Sequence, residues 1–410
     1  MKTILIVGDG MADRPIKELG GKTPLEAANI PALDEIARLG ECGIMDTISP
    51  GRPPGSDVAN LALLGYDPFV CYRGRGALEA LGAGLDMGEG DIAFRGNLAT
   101  TDERGVITDR RAGRVDGRVF EKYLTNIALP SYPEVKAVVR PSVEHRVAIV
   151  LKGKGLSWKI GDSDPHKDEA SAKRVEPLDG SLEAKRTAEI TNELLQVLKE
   201  RLRGCPLNQR KIEEGLKPAN IILVRGAGAP PQVKPLKELY GVRGACVAVN
   251  AVVMGVCRSA GLDLLEVPGG TGGVDTDTVA KAKVVEKNIQ EYDLMYLHIK
   301  GTDNASHDGD IESKIRMIEK IDMMARHLLD NLNMDETYIA VTADHTTSLG
   351  ERDHRGDPVP LAIIGPEVRR DEVTAYGERS CAMGGIGRIR GTDLMPILMN
   401  FLGKVPLYGS

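Results

Sequence analysis

Residues 3–10 of the chain read Thr3-Ile4-Leu5-Ile6-Val7-Gly8-Asp9-Gly10. The first five are β-branched residues and leucine, and an unbroken apolar run of this kind is typical of a strand buried on both faces. Gly8 and Gly10 end the run and leave the Asp9 carboxylate directly behind the strand. The segment therefore indicates a parallel sheet covered by helices, with a polar group at its edge.

Strands of the same apolar kind recur in the last part of the chain, and amphipathic segments lie between them. The predicted strands are 245–249, 293–299, 337–342 and 359–364, and the predicted helices are 25–39, 58–64, 252–260 and 311–332. Strands that alternate with helices at both ends of a chain predict an α/β fold with a doubly wound, mostly parallel sheet.

The middle of the chain has a different character. Short arginine- and glycine-rich segments follow Gly74, and they alternate with a strand-like piece at 143–152 and a charged helix at 182–203. A proline-rich linker at 229–235 precedes the return of apolar strands. We expect residues 1–74 and 236–410 to form the core, and residues 75–235 to form an inserted smaller α+β domain.

Composition excludes several classes of function. The formal net charge of -6 argues against binding to nucleic acid, and an aromatic content of 4% leaves little for stacking on bases or anchoring at a membrane. No apolar stretch reaches spanning length, and the first apolar run is too short for a secretion signal. The six cysteines are scattered without a paired motif. We expect a cytoplasmic protein that binds neither nucleic acid nor membrane.

Candidate catalytic groups follow three of the predicted strands. Ligands of an open parallel sheet gather beyond the carboxyl ends of its strands, so side chains in the loops there should meet. Taken singly, an aspartate at such a place could be a turn residue, and a histidine could belong to the core. The side chains in these loops are Asp9, Asp303, His307, Asp344, His345 and His354.

This set of side chains indicates a metal site. Mixed carboxylate and imidazole ligands suit Zn²⁺ or Mn²⁺, and six are too many for one ion that keeps an open position. Two ions about 3.5–4 Å apart clamp the attacking and departing oxygens of a phosphoryl transfer. The sequence thus predicts two divalent ions, with Co²⁺ and Mg²⁺ as alternatives.

A nucleophile is expected at Ser56, which lies at the predicted N-cap of a helix after the loop 51–55. Capping is the commonest role of a serine there. A helix N-terminus also stabilises phosphate, and a hydroxyl bound to a divalent ion loses its proton readily. We therefore predict that Ser56 is the catalytic nucleophile.

Sequence motifs along the whole chain resemble one family. They are Ile6–Met11, Pro53–Asn60, Lys300–Asp310, Thr342–Thr347, Arg390–Pro396, Val143–Leu151 and Asp162–His166. They are similar to those of the alkaline phosphatase superfamily, and most closely to its archaeal-type 2,3-bisphosphoglycerate-independent phosphoglycerate mutases. The resemblance implies an alkaline-phosphatase-like core. It also implies an isomerase of glycolysis and gluconeogenesis that interconverts 3-phosphoglycerate and 2-phosphoglycerate.

The resemblance also implies roles for particular residues. Ser56 would be phosphorylated during turnover. One ion would be held by Asp9, Ser56, Asp344 and His345, and the other by Asp303, His307 and His354. The expected substrate-binding residues are His145, Arg146, Asp162, His166 and Arg225, with Arg110, Arg111 and Arg114 as further candidates. These basic residues could equally form a solvated surface. A homo-oligomer is the default expectation.

Two alternatives remain at this point. The first is a metal-dependent phosphatase or another phosphomutase on the same scaffold, for instance one acting on pentose phosphates. The second is a noncatalytic metal- or anion-binding protein in which Ser56 only caps a helix.

Overall fold

The computed structural model describes residues 1–142 and 144–409. Val143, the first residue of the predicted strand 143–152, lies outside the described residues. The chain divides into two compact units: the first combines Met1–Tyr72 with Val233–Ser410, and the second is Arg73–Gln232. The functions of these units as a core and a substrate-binding domain stay predictions.

The described residues contain strands and helices of very different lengths. The strands are β1 (Lys2–Gly8), β2 (Glu41–Asp46), β3 (Ile92–Thr101), β4 (Ile107–Asp109), β5 (Lys136–Pro141), β6 (Arg146–Lys152), β7 (Ile221–Gly228), β8 (Gly244–Val247), β9 (Asp263–Leu264), β10 (Leu294–Ile299), β11 (Thr337–Ala343), β12 (Thr346–Ser348), β13 (Asp353–Arg355), β14 (Val359–Ile364) and β15 (Gly387–Arg390). The helices are α1 (Pro24–Ala27), α2 (Pro31–Leu39), α3 (Ser56–Leu63), α4 (Pro68–Cys71), α5 (Arg75–Gly82), α6 (Glu121–Leu124), α7 (Leu182–Arg203), α8 (Pro206–Glu213), α9 (Leu236–Tyr240), α10 (Ala251–Ser259), α11 (Thr278–Asn288), α12 (Gly301–Asp308), α13 (Ile311–Asn331), α14 (Glu378–Cys381) and α15 (Gly391–Phe401).

The first unit is built on an eight-stranded sheet in the order β15-β2-β14-β11-β1-β10-β8-β9. Strand β1 pairs in parallel with both β10 and β11, and only β14 runs antiparallel to its neighbours. Helices α2, α11 and α12 pack on α13, while α10 and α15 pack on α3, which gives two separate helical groups. This architecture confirms the predicted α/β class with a mostly parallel sheet.

One predicted helix of the first unit is wrong. The segment 25–39 forms two helices, α1 and α2, with Ala28, Asn29 and Ile30 between them. The second helix starts at Pro31, because a proline lacks the amide that would continue the preceding helix and disfavours helical backbone in the residue before it. By contrast, the predicted strand 359–364 is confirmed to the residue.

The second unit is an α+β structure with its own apolar core. Strand β3 lies between β6 and β7 in antiparallel pairing, and β5 and β4 complete a five-stranded sheet. Helix α7 matches the predicted helix 182–203 and begins where the Ser181 hydroxyl accepts a hydrogen bond from Ala184 N at 3.2 Å. Its buried residues Ile190, Leu194 and Leu198 share a cluster with strand side chains such as Phe94.

Parallel register decides which residues emerge together at the edge of the large sheet. Gly8, the last residue of β1, pairs with Ile299 of β10 and with Ala343 of β11. The residues that follow these three strands therefore begin side by side. Within residues 1–142 and 144–409, no helix combines the length and apolarity that crossing a membrane requires.

Candidate metal centre

Two aspartates and a histidine meet at this edge of the sheet in the first unit. Asp9 and Asp344 are both 0% exposed. The Nε2 atom of His345 lies 3.3 Å from Asp9 Oδ1 and 3.5 Å from Asp344 Oδ1. The backbone amide of Gly10 donates to Asp344 Oδ1 at 3.1 Å. The parallel register of β1 and β11 thus brings together the residues that were predicted to converge.

Ser56 joins this group through its hydroxyl. Its Oγ lies 3.2 Å from His345 Nε2. The prediction that Ser56 is the N-cap is wrong, because Gly55 holds that position in extended backbone and Ser56 is the first residue of α3. Asn60, one turn along α3, donates to Ser56 O at 2.7 Å and to Asp344 Oδ2 at 2.9 Å. The serine hydroxyl therefore faces the polar group instead of capping the helix.

A second group forms around Asp303. The prediction of a loop at Asp303 and His307 is wrong, because both lie on α12, four residues apart and so on one face of the helix. The Nε2 atoms of His307 and of His354, on β13, each lie 3.3 Å from Asp303 Oδ1. Thr347 donates its hydroxyl to the same oxygen at 2.8 Å.

The three histidines are oriented by their other ring nitrogen. Nδ1 of His307 lies 2.8 Å from a backbone carbonyl oxygen, that of Arg352, and Nδ1 of His354 lies 2.8 Å from that of Pro54. Nδ1 of His345 lies 3.0 Å from Thr347 Oγ1. Because each Nδ1 has an oxygen acceptor, the proton is assigned there, and the Nε2 lone pair faces the carboxylates. Metal-binding histidines are commonly held in this way.

The charges of the two groups are strongly coupled. Burial alone would raise the pKa of Asp9, but the positive charge of Lys300 and the neighbouring imidazoles of His298 and His345 lower it overall. Hydrogen bonding to Asp303 raises the pKa of His307 to about 9, against the smaller effect of burial. The lone pair that takes this proton is also the one that a metal ion would bind.

The donor set fits divalent cations. Both carboxylate oxygens of Asp9 are buried and lack an aligned hydrogen bond within the described chain. The ammonium group of Lys300 lies close to Oδ2, whereas Oδ1 faces His345, and a cation bound on that side would compensate the burial of Oδ1. Two groups could each hold an ion, with ligand atoms within 4.8 Å of one another: Asp303 with His345 and His354, and Asp9 with His298 and Asp344. His345 lies close to both groups, so the division of ligands between two ions stays a prediction.

Sequence reasoning missed two basic side chains of this site. His298 lies in β10, with Nε2 3.3 Å from Asp9 Oδ2; burial alone would lower its pKa, but the carboxylates of Asp344 and Asp9 raise it overall. Lys300 follows β10 and places Nζ 3.1 Å from the same oxygen. The signal for both was their position: they are polar residues two apart at the carboxyl end of an otherwise apolar strand.

A basic cavity of about 300 Å³ lies within the second unit. Two predicted substrate-binding residues line it, Asp162 and Arg225, together with two arginines that sequence reasoning missed. Asp162 accepts from the Gly226 amide at 2.8 Å and lies 3.2 Å from His166 Nε2. The lining residues are Arg75, Gly76, Arg95, Asp162, Arg225 and Gly226.

The electrostatics of this cavity favour an anion. Burial lowers the pKa of Arg95 to about 10, although Glu79 opposes the shift, and burial also lowers the pKa of Arg225. The Nε of Arg95 is buried and has no hydrogen-bond partner among the described residues. Guanidinium groups that crowd one cavity can bind a carboxylate or phosphate in bidentate fashion.

The other basic candidates of the second unit do not line this cavity. His145 is buried before β6, and burial followed by the charge of Arg146 lowers its pKa to about 4. Arg110 makes a bidentate ion pair with the buried Asp164 at 2.8 and 3.0 Å. Arg111 and Arg114 are exposed. Of the predicted substrate-binding residues, Asp162 and Arg225 line this cavity, and the role of the whole set in binding substrate stays a prediction.

Comparison with known proteins gives consistent relatives. Residues 37–208 match the family described as 2,3-bisphosphoglycerate-independent phosphoglycerate mutase. A mutase of that name from Methanothermobacter thermautotrophicus is 45% identical over 100% of both chains. Another, from Ignicoccus hospitalis, is 47% identical over 100% of this chain and 99% of its own.

Solved structures agree with these relatives. A protein from Pyrococcus horikoshii has a TM-score of 0.86 at 37% identity and covers 100% of this chain and 99% of its own. A cofactor-independent phosphoglycerate mutase from Thermoplasma acidophilum has a TM-score of 0.74 at 37% identity, with 98% and 100% covered.

Proposed function

Because the chain belongs to the family of 2,3-bisphosphoglycerate-independent phosphoglycerate mutases, we propose that it interconverts 3-phosphoglycerate and 2-phosphoglycerate without bisphosphoglycerate. It is then an isomerase of glycolysis and gluconeogenesis. The observation that carries the mechanism is the position of Ser56 Oγ, 3.2 Å from His345 Nε2 beside buried carboxylates. This is a hydroxyl in a site built for cations and phosphate.

Ser56 acts as the nucleophile of the first half-reaction. Its Oγ loses a proton and forms a bond to phosphorus, and the bond between phosphorus and the 3-oxygen of the substrate breaks. The products are phosphoserine and glycerate, whose 3-oxygen takes a proton. The dipole of α3, whose first residue is Ser56, stabilises the phosphoryl group. In the second half-reaction the 2-hydroxyl of glycerate loses its proton and its oxygen forms a bond to phosphorus, while the bond between phosphorus and Ser56 Oγ breaks and Oγ takes a proton.

The metal ligands are assigned as the family resemblance implies. One ion is assigned to Asp9, Ser56, Asp344 and His345, and the other to Asp303, His307 and His354. Bound there, divalent ions supply stabilisation of the charge on the transferring phosphoryl group and lower the pKa of the Ser56 hydroxyl. Carboxylate and imidazole donors favour Mn²⁺ or Zn²⁺, with Co²⁺ and Mg²⁺ as alternatives.

The second unit supplies the groups that hold glycerate. Arg225, Arg75 and Arg95 surround a cavity that suits the carboxylate shared by both substrates. Asp162 and His166, 3.2 Å apart, are the candidates for moving a proton between the hydroxyls of glycerate. Arg146 and His145, which the resemblance also suggests for substrate binding, lie outside the residues that line this cavity.

The test is product analysis with 3-phosphoglycerate as the sole phosphorylated compound. We expect 2-phosphoglycerate to accumulate to equilibrium, followed by ³¹P NMR, with no net release of inorganic phosphate. Stoichiometric phosphate release would instead identify a phosphatase. Turnover of pentose phosphates but not of phosphoglycerate would identify another phosphomutase. If none of these compounds is turned over, the result would favour a noncatalytic binding protein.

A further inference from the structure

The ligand carboxylates of the metal centre each have two differently placed oxygens. We call Oδ1 of Asp9, Asp303 and Asp344 the inner oxygens, because each lies 3.3–3.5 Å from an imidazole Nε2 of a predicted metal ligand. We call their Oδ2 atoms the outer oxygens. The outer oxygens contact groups that have no part in the ligand set assigned above.

Most of these outer contacts come from the end of β10. His298 Nε2 lies 3.3 Å from the outer oxygen of Asp9 and 3.9 Å from that of Asp344. Lys300 Nζ lies 3.1 Å from the outer oxygen of Asp9 and also contacts that of Asp303. Two side chains of one strand end therefore reach the outer oxygens of all three carboxylates.

His298 is held firmly in place. It is fully buried in β10 opposite Val7 of β1, the strand that leads into Asp9. Its backbone carbonyl accepts a hydrogen bond at 2.7 Å from Nζ of Lys281, a fully buried residue of α11. The strand pairing and this bond fix the backbone from which the imidazole projects.

We propose that His298 and Lys300 are positioning residues of the metal centre, which hold the outer oxygens of Asp9, Asp303 and Asp344 so that the inner oxygens face the metal ions. The inference rests on the metal-assisted function proposed above. Such outer partners orient ligand carboxylates and typically change metal affinity about 10–100-fold when they are removed.

Charge distinguishes this role from that of a further metal ligand. An ion on the outer side would bind between His298 and the outer oxygens of Asp9 and Asp344, beside the ammonium group of Lys300. Two fixed positive charges so close in a buried site repel each other strongly. The inner side has the opposite character, since Ser56 Oγ and imidazole lone pairs converge there.

The test is Co²⁺ titration of the metal-free protein, followed by calorimetry and by the visible absorption of bound Co²⁺. The variants are His298→Leu, which removes the polar contact with the outer oxygens, His298→Asn, which keeps a polar amide at that position, and Lys300→Met. Two control variants replace the same residue types away from the metal centre. His327→Leu removes a histidine paired with Glu286, and Lys320→Met removes a lysine that donates to two backbone carbonyls.

We expect His298→Leu to weaken the binding of one Co²⁺ ion about 10–100-fold, with partial recovery in His298→Asn. Lys300→Met should weaken both ions, because Lys300 contacts one carboxylate of each assigned ligand set. The absorption of the saturated variants should match that of the native protein, because the direct ligands are unchanged. The controls should bind as the native protein does.

Several results would overturn the inference. Native affinity in all three variants would remove the positioning role, and tighter binding in Lys300→Met would mean that its charge opposes the ions. A changed absorption band in saturated His298→Leu would make His298 a direct ligand. If His298→Leu does not fold, the Co²⁺ affinities of His298→Asn and Lys300→Met still test the positioning role. Failure of the native chain to bind two Co²⁺ ions would instead overturn the proposed metal-assisted function.

Discussion

The reactivity of a serine depends on what its hydroxyl contacts, and Ser56 is free of the usual local partner. Gly55 takes the N-cap of α3, so the Ser56 hydroxyl is not used to cap the helix. It lies instead beside His345 Nε2, within a group of buried ionisable residues. Because the helix begins one residue earlier than a capping serine would require, the Ser56 hydroxyl is available as a candidate nucleophile.

Replacing Ser56 by alanine should abolish mutase activity, because the variant has no hydroxyl at this position to accept the phosphoryl group. The loss should be on the order of 10⁶-fold, as for other enzymes that lose a catalytic serine. Ser259→Ala, which removes a hydroxyl bonded to Gly255 O in α10, should keep native activity. Peptide mass spectrometry of acid-quenched enzyme should find phosphoserine at residue 56 only in active protein. Persistent turnover in Ser56→Ala would contradict the mechanism.

Arg225 lines the basic cavity of the second unit. Arg225→Met should raise KM for phosphoglycerate about 10–100-fold with a smaller change in kcat, because a charge-assisted hydrogen bond contributes about 1.5–3 kcal/mol. Arg118→Met should have no effect, since that arginine is exposed and paired with Asp116. Steady-state kinetics of both variants measure the difference. An unchanged KM in Arg225→Met would remove this residue from the substrate site.

His145 predicts a pH dependence of stability. Burial lowers its pKa to about 4, so the folded chain resists protonation while the unfolded chain takes a proton near pH 6.5. The contribution of neutral His145 to the free energy of unfolding is therefore complete above pH 6.5. It is lost as the pH falls to 4, and the loss is on the order of 2–3 kcal/mol. His145→Gln should lose less stability over this range. Urea unfolding followed by Trp158 fluorescence reports on the second unit, and parallel curves for both proteins would contradict the prediction.

At the scale of elements, the buried Lys314 connects two segments next to the metal centre to helix α13. Lys314 of α13 is fully buried and bonds Asp13 Oδ2 at 2.9 Å and Thr347 O at 2.8 Å. Thr347 in turn bonds both His345 and Asp303. The position of α13 therefore bears on the geometry of the ligands, although α13 supplies none of the assigned ligands.

The start of α13 should be sensitive to its cap. Asp310 accepts from Ser313 N at 2.9 Å, and Asp310→Ala should cost about 1 kcal/mol by leaving that amide without its partner. For a unit of this size the thermal midpoint should fall by roughly 2–4 °C. Asp330→Ala, at the exposed last turn of the helix, should change it little. Calorimetry compares the two, and equal shifts would contradict a specific capping role.

For the whole molecule, bound metal should couple activity to stability. Exhaustive chelation should abolish mutase activity, and added Mn²⁺ should restore it. Because an ion that binds only the folded chain stabilises it by mass action, the thermal midpoint should rise with Mn²⁺ concentration. The control is Mg²⁺ at equal concentration, which we expect to be less effective at a site with imidazole donors. Full activity after complete removal of metal would contradict the assigned mechanism.

The sequence alone determined the α/β class and the convergence of the ligands. Strands buried on both faces must be apolar throughout, so β1 and β11 could be recognised, and their parallel register places Asp9 beside Asp344. Because these are local patterns repeated along the chain, the residue types were enough to nominate Ser56 and the candidate metal ligands, whose roles stay predictions.

Only the tertiary structure decided which other side chains complete the sites. The start of α12 directly behind β10 places Asp303 on a helix, and the pairing of β10 with β1 brings His298 to Asp9. In the second unit, strand pairing between β3 and β7 sets Arg95 opposite Arg225. These contacts join residues far apart in the chain, so their distances depend on packing and strand register, which no local pattern of residue types encodes.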